Sequence, residues 1–93
     1  MKNVFSQKGT TEVEVFSLDW TNPVQNDIIT SSQWSVVSGG VSIVTNSIEE
    51  KRTLVKLSGG SVGWAKVINT VTTAAGQTLV EECFFEIVDK SVL

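Results

Sequence analysis

The stretch LSGGSVGWAKVINTVTTAAGQTL, residues 57–79, places two glycine-containing turns on either side of one strand. The first turn is Ser58-Gly59-Gly60. The second, residues 73–77, fits a hairpin loop whose glycine takes the left-handed conformation. Between them, residues 62–73 are rich in valine and threonine, which favour strands. The stretch therefore predicts a long strand that leads into a hairpin.

Outward from this strand, the alternation of apolar and polar residues predicts five more strands, at 12–20, 28–37, 41–45, 53–57 and 78–89. No helical period persists beyond one turn, and short strands separated by turn signals indicate a sandwich or barrel. We expect an all-β fold, an immunoglobulin-like β-sandwich of six or seven antiparallel strands, with a small open barrel as the alternative.

The sequence also predicts one connection and one irregularity in the strands. Residues 46–52 are polar and are predicted to be a connection between strands. The apolar phase changes at Val15-Phe16, which predicts a bulge or a change of partner sheet there.

The 93 residues suffice for one domain. Residues 1–11 are polar apart from Val4 and Phe5, and we expect an N-terminal arm that is weakly ordered unless something binds it. Residues 12–93 then form a single sandwich domain.

Charge and cysteine content exclude several classes of protein. The net charge is −3 and the basic residues are scattered, which argues against a nucleic-acid binder and a polybasic membrane anchor. The single cysteine cannot form an internal disulfide. The N-terminus MKNVFSQKG lacks the apolar core of a signal peptide, and no apolar run approaches the roughly 20 residues that span a bilayer. We expect a protein made in the cytosol that does not enter a membrane.

The inventory of reactive side chains is poor. The chain has no histidine, which excludes a serine triad and histidine-based metal sites. Glu81 and Glu82 are neighbours on a strand and point to opposite faces, and Asp19 and Asp27 are too few for calcium. Cys83 alternates with apolar residues, which predicts a buried, inert thiol. We therefore expect no catalytic residue, no cofactor and no metal.

The tryptophans suggest binding instead. Trp34 is in phase with a core strand, whereas Trp20 ends a strand beside a proline turn and Trp64 follows a glycine. Exposed tryptophans are favoured anchors in protein interfaces. Trp20 and Trp64, together with Val4 and Phe5 of the arm, are the predicted partner-binding residues. Aromatic spacing alone does not distinguish a protein partner from a carbohydrate.

Four segments occur in an order that is typical of one family: Asp19-Trp20, residues 29–34 (ITSSQW), residues 57–60 (LSGG) and residues 69–78 (NTVTTAAGQT). From about residue 12 to residue 88, the chain resembles the phage fiber-tail adaptor family, small immunoglobulin-like structural proteins of tailed bacteriophages. It departs from the family pattern at TNPVQND after Trp20 and at Trp64 after the second Ser-Gly-Gly.

The resemblance implies a virion structural protein, made and assembled in the host cytoplasm. Such a protein sits at the phage tail or baseplate, in several copies, and joins a receptor-binding tail fiber protein to a tail or baseplate protein. A sandwich could do this through its edge strands, because a partner strand can add to their unpaired backbone groups. A surface-exposed decoration or glycan-binding accessory domain, with Trp20 or Trp64 as a stacking platform, is the alternative. An enzyme is disfavoured, because the carboxylates have no arranged partners.

Overall fold

The computed structural model describes residues 2–5 and 7–90, without the side chain of residue 2. The elements are β1 (Lys2–Val4), β2 (Lys8–Gly9), β3 (Val13–Asp19), a one-turn helix α1 (Thr21–Val24), β4 (Ile29–Ser38), β5 (Val41–Glu49), β6 (Arg52–Gly59), β7 (Gly63–Thr73) and β8 (Thr78–Val88). The six longer strands overlap the six that the sequence predicts, although β5 continues four residues past its predicted end.

The strands form two sheets. One has the order β1-β8-β7-β4, with β2 also paired to β8, and the other has the order β3-β6-β5. In immunoglobulin lettering, β8, β7 and β4 are strands G, F and C, and β3, β6 and β5 are strands B, E and D. This confirms the immunoglobulin-like sandwich and its six antiparallel strands, and the barrel alternative was wrong.

The N-terminal segment differs from the expected arm. β1 and β2 run parallel to β8, and the backbone N–H of Phe5 donates to the carbonyl of Phe84 at 2.9 Å. The Phe5 ring stacks on Phe85 with centroids 4.9 Å apart, and the buried Lys8 Nζ donates to the carbonyl of Gly59 at 2.5 Å. Apolar burial and backbone pairing thus bind this segment to the sandwich. It takes the role of strand A, but pairs with strand G and leaves strand B without this neighbour.

The polar residues after position 45 were wrongly predicted to be a connection. β5 continues to Glu49, and only Glu50 and Lys51 form the turn into β6. Glu50 has a positive φ of 57°, which suits a tight turn. Residues 44–49 are exposed, so both faces of this strand tolerate polar side chains and the sequence carries no apolar alternation.

The predicted bulge at Val15-Phe16 is also absent. β3 pairs with β6 through seven consecutive residues, from Val13 opposite Ser58 to Asp19 opposite Arg52. The apparent phase change arises because Val13 and Val15 are exposed, at 53% and 59%, while Phe16 points into the core. Valine favours a strand whichever way it faces, so its apolar character did not mark the buried side.

The core lies between the sheets. Its members include Phe16, Leu18, Trp20, Ile29, Trp34, Val55, Leu57, Val67, Val71, Phe85 and Ile87. A buried hydrogen-bond network lies among these apolar residues. The Trp20 indole N–H donates to Thr53 Oγ1 at 2.9 Å and to Asn69 Oδ1 at 3.2 Å, and Thr53 Oγ1 lies 2.6 Å from Asn69 Oδ1. Asn69 Nδ2 donates to Ser32 Oγ and to the carbonyl of Gln33. This network links Trp20, which follows the end of β3, to β6, β7 and β4, and so fixes the sheets relative to one another.

The two Ser-Gly-Gly turns meet at one end of the sandwich. The N–H of Ser61 donates to the carbonyl of Gly39 at 2.8 Å. Gly39 has a φ of +99°, and a Cβ built on it would lie 2.2 Å from the Cβ of Ala65 in β7. Glycine is therefore required at this position both by backbone conformation and by the close approach of β7.

Candidate functional site

The outer face of the larger sheet carries an exposed apolar group. Val4 lies opposite Phe84 in the β1–β8 ladder, and Trp64 lies two residues from Lys66, which is the residue opposite Phe84 in β7. Side chains directly opposite in a ladder have Cβ atoms about 4.5–5.5 Å apart, and diagonal neighbours about 7–8 Å. Val4, Phe84 and Trp64 therefore form one group, which we call the outer-face cluster.

Two members of the cluster are strongly exposed. Val4 is 64% exposed and Trp64 is 58% exposed, whereas Phe84 is half-buried. The cluster lies on paired strands, so its side chains are held by a rigid backbone. Binding a partner there would cost little ordering entropy, which favours affinity.

Charged and amide groups border the cluster. Lys66 Nζ lies 2.6 Å from Glu82 Oε2 and 5.6 Å from the centre of the Phe84 ring, and Gln7 Nε2 donates to Glu86 Oε1 at 2.8 Å. Half-exposed ion pairs contribute little stability, about 0–1 kcal/mol. An apolar centre with a polar rim is the usual anatomy of a protein-binding surface.

The predicted partner-binding residues separate into three positions. Val4 and Trp64 belong to the outer-face cluster. Phe5 lies between the sheets at the β8 side, half-buried, with Phe16 and Phe85 against its ring. Trp20 is only 1% exposed and belongs to the core network, so its ring offers no surface to a partner. A tryptophan beside a proline turn did not signal exposure, because its indole N–H bonds to Thr53 and Asn69 in the core.

Phe84 is the member of the cluster that the partner-binding prediction omitted. The signal was present in the alternation of β8. Cys83 and Phe85 point inward, so the residue between them must point outward.

The acidic residues considered for calcium have structural partners. Asp19 accepts the N–H of Thr21 at 2.9 Å as well as its hydroxyl, and these bonds lower the pKa of Asp19. Asp27 accepts the N–H of Ile28 and that of Ala75, and hydrogen bonds lower its pKa as well. Across residues 2–5 and 7–90, no three His, Cys, Asp or Glu side chains are grouped so that they could hold a metal ion. In the same residues, no helix is both long and apolar enough to cross a membrane.

The Cys83 thiol is buried in the core, and burial, followed by the charge of Glu81, raises its pKa to about 12. The reactive species is the thiolate. We expect Cys83 to react with a disulfide reagent at pH 8 at least about 1,000-fold more slowly in the folded protein than in denaturant, because three pKa units reduce the thiolate fraction by that factor. The absorbance of the thiol that the reagent releases measures the rate of the reaction. A Val44→Cys variant in a Cys83→Ala background is the exposed control, and equal rates for the two thiols would contradict the buried placement.

A second feature lies on the outer face of the smaller sheet. A depression of about 210 Å³ is lined by Val15 of β3, by Leu54 and Lys56 of β6, and by Thr45 and Ser47 of β5. Its walls are partly apolar, and it lies across β6, between β3 and β5.

Comparison with known proteins gives one family. The model of the family described as "Podophage GP4 fiber-tail adaptor protein gp77" matches residues 8–86 of the 93. Curated protein sequences gave no significant match.

Solved structures share the fold. The PKD domain from the KIAA 1837 protein is 21% identical, with a TM-score of 0.61, and the alignment covers 96% of this chain and 86% of that one. A 2,6-sialyltransferase from Photobacterium sp. JT-ISH-224 is 16% identical, with a TM-score of 0.59, over 96% of this chain and 18% of that one. The secreted serine protease VesC from Vibrio cholerae is 15% identical, with a TM-score of 0.57, over 92% and 22%. This chain thus spans about a fifth of each of these two enzymes, and the likeness shows an immunoglobulin-like fold alone.

Proposed function

The chain belongs to the podophage fiber-tail adaptor protein family, and on that premise we propose that it is a non-catalytic structural protein of the virion. In this proposal it attaches a receptor-binding tail fiber to the phage tail or baseplate, and several copies act together around the tail. Multiple copies would strengthen attachment without any single tight interface, because linked binding events raise the effective concentration.

The outer-face cluster is the observation that carries the proposal. A rigid sheet presents Val4, Phe84 and Trp64 to solvent, bordered by Lys66 and Glu82. An adaptor needs such a preformed surface for docking, whereas a hydrolase would need two carboxylates facing a cleft. Asp19 and Asp27 instead accept hydrogen bonds from backbone N–H groups near turns, and Glu82 pairs with Lys66 of β7.

Reconstitution tests the function directly. Particles of the phage that encodes this chain are prepared without it and mixed with the purified fiber protein. Fiber retention after sedimentation is measured with and without added adaptor. We expect fibers to sediment with particles only when the adaptor is present. Fiber retention without the adaptor, or an adaptor that binds neither component, would contradict the proposal.

The cluster itself is tested by Trp64→Ala. Hot-spot tryptophans contribute about 2 kcal/mol or more, so we expect the variant to bind its partner about 30-fold more weakly. The side chain is 58% exposed, so the free energy of unfolding should change by less than about 0.5 kcal/mol. Val44→Ala, on β5 of the other sheet and 49% exposed, is the matched control. Equal affinities for the two variants would place the interface elsewhere.

An exposed tryptophan on a flat face also suits stacking against a sugar ring. This observation supports a second candidate, a surface decoration that binds host polysaccharide through Trp64. A glycan array separates the two. Binding to a polysaccharide that Trp64→Ala abolishes would favour the decoration, whereas loss of fiber retention without any glycan binding would favour the adaptor.

A further inference from the structure

Among the residues that the structure describes, one edge strand is long, regular and uncovered. β8 is covered by β1 and β2, which are themselves too short to be good templates. The β4–β7 ladder has register shifts at Ile29/Ser31 and Val36/Ser38, and the β5–β6 ladder has one at Ile43/Thr45. Such irregularities protect an edge against pairing. β3 has none over its seven residues, and strand A, which covers this edge in immunoglobulin domains, lies on β8 instead.

The register shows which backbone groups of β3 face that open edge. The N–H of Trp20 donates to the carbonyl of Lys51 at 2.8 Å, so these residues form a hydrogen-bonded pair. Hydrogen-bonded and non-hydrogen-bonded pairs alternate in an antiparallel ladder. Leu18 and Phe16 therefore bond to β6, whereas the N–H and C=O groups of Val15 and Ser17, and of Val13 before them, point away from it.

The place of an added strand follows from the contact between the sheets. The rings of Phe16 on β3 and Phe85 on β8 are 4.5 Å apart, so β3 lies beneath β8. A strand added to the open edge of β3 would then lie beneath β1, the neighbour of β8. Its inward side chains would cover the half-buried Phe5, and its outward ones would lie beside the exposed Val13 and Val15.

The charge of β3 restricts what can bind there. Residues 12–19, EVEVFSLD, carry three acidic side chains and no basic one. Lys90 pairs with Glu12 at 2.8 Å, and Arg52 lies opposite Asp19 in the β3–β6 ladder, so Glu14 has the least compensation from an ion pair on this strand. Asp19 is exposed and Glu14 is half-exposed, on opposite faces of the strand. A segment that pairs here is favoured if it carries lysine or arginine, because opposite charges across a ladder attract and like charges repel.

We propose that β3 is the docking edge for an extended, lysine- or arginine-containing segment of a partner protein, which adds to the β3-β6-β5 sheet in the position of the missing strand A. The proposal rests on the adaptor function and specifies one of its two attachments. The outer-face cluster, on the far side of the other sheet, is left for the second partner. The aliphatic residues of the segment would pack on Val13 and Val15.

A proline scan of the edges tests the proposal. Val15→Pro removes an N–H that faces the open edge, and proline is tolerated at such positions of edge strands. Asn46→Pro is the matched control, because Asn46 lies opposite Val55 and by the same alternation faces the open edge of β5. Each variant is added to particles lacking the adaptor and, separately, to the fiber protein, and thermal melting verifies that each is folded. We expect Val15→Pro to weaken one of the two interactions at least about tenfold and Asn46→Pro to weaken neither by more than about threefold.

Hydrogen exchange on the wild-type protein gives a second readout that needs no variant. The adaptor is exchanged in the complex, released under quench conditions and examined by NMR. We expect the amides of Val13, Val15 and Ser17 to exchange at least about tenfold more slowly in the complex, while those of Phe16 and Leu18 change little. This alternation is specific to strand addition at β3.

Each other outcome overturns a defined part of the proposal. A complex that forms without slowing these amides overturns the docking edge and leaves the adaptor function standing. Slowing of the same amides in the concentrated protein alone assigns the edge to a second copy, and overturns the partner segment. Wild-type protein that binds neither particles nor fiber overturns the function and the docking edge together.

Discussion

Gly39→Ala is expected to lower the free energy of unfolding by about 3–5 kcal/mol, the sum of backbone strain and overpacking. Gly39 has a φ of +99°, which side-chain-bearing residues rarely adopt. The added Cβ would lie 2.2 Å from the Cβ and 2.5 Å from the Cα of Ala65. Ala65 is fully buried in the central strand β7, so the turn must move away from the sheet.

Comparison with Gly76→Ala separates the loss of stability due to backbone strain from the loss due to overpacking. Gly76 also has a positive φ, +89°, but a Cβ there has no neighbour within 4 Å. Strain alone should lower the free energy of unfolding by about 1–2 kcal/mol. Thermal melting measures both variants, and each kcal/mol corresponds to about 4–8 °C for a domain of this size. Equal losses in the two variants would mean that the turn does not press on β7.

Asn69→Ala is expected to lower the free energy of unfolding by about 3 kcal/mol. The side chain is fully buried. It bonds to Thr53 on β6, to Ser32 and the carbonyl of Gln33 on β4, and to Trp20, which follows β3. Its removal leaves a small cavity and takes partners from buried polar groups, which costs about 1–3 kcal/mol for the polar groups alone. The Trp20 indole keeps one acceptor, Thr53 Oγ1, which limits the loss.

Chemical denaturation measures this effect from the midpoint at constant slope. Asn46→Ala is the control, because Asn46 is exposed on β5 and should change the free energy of unfolding by less than about 0.5 kcal/mol. A double-mutant cycle with Trp20→Phe should give a coupling energy between the two sites of at least about 0.5 kcal/mol, since they share a hydrogen bond. Additive losses would show that the network contributes no more than its separate members.

The sequence predicted the β-sandwich because its buried strands alternate clearly. In β8, Cys83, Phe85 and Ile87 face inward with the regular period of two, and Val67 and Val71 do the same in β7. The match of the family model confirms the resemblance carried by Asp19-Trp20 and by residues 29–34, 57–60 and 69–78. The errors fall on strands that lack this alternation. The end of β5 is exposed on both faces, and the two N-terminal strands have two and three residues, too few to show a period.

The sequence named Val4 and Trp64 as partner-binding residues, and both are exposed. Which residues lie beside them depends on the register between β1, β7 and β8, and one chain gives no register between distant strands. The burial of Trp20 was not predicted, for a related reason. Its burial depends on Thr53 and Asn69, whose positions 33 and 49 residues away provide hydrogen-bond acceptors that local sequence does not reveal.

The parallel pairing of β1 and β2 with β8 also sets an order of events during synthesis. Residues Lys2–Val4 are synthesised 80 residues before their pairing partners, residues 82–84. Lys8 and Gly9 must likewise wait for residues 87 and 88. The nascent chain therefore carries an unpaired N-terminal segment and an incomplete larger sheet until translation has passed residue 88. The growing polypeptide is most prone to aggregation during this interval, because its strand edges are still open to neighbouring chains.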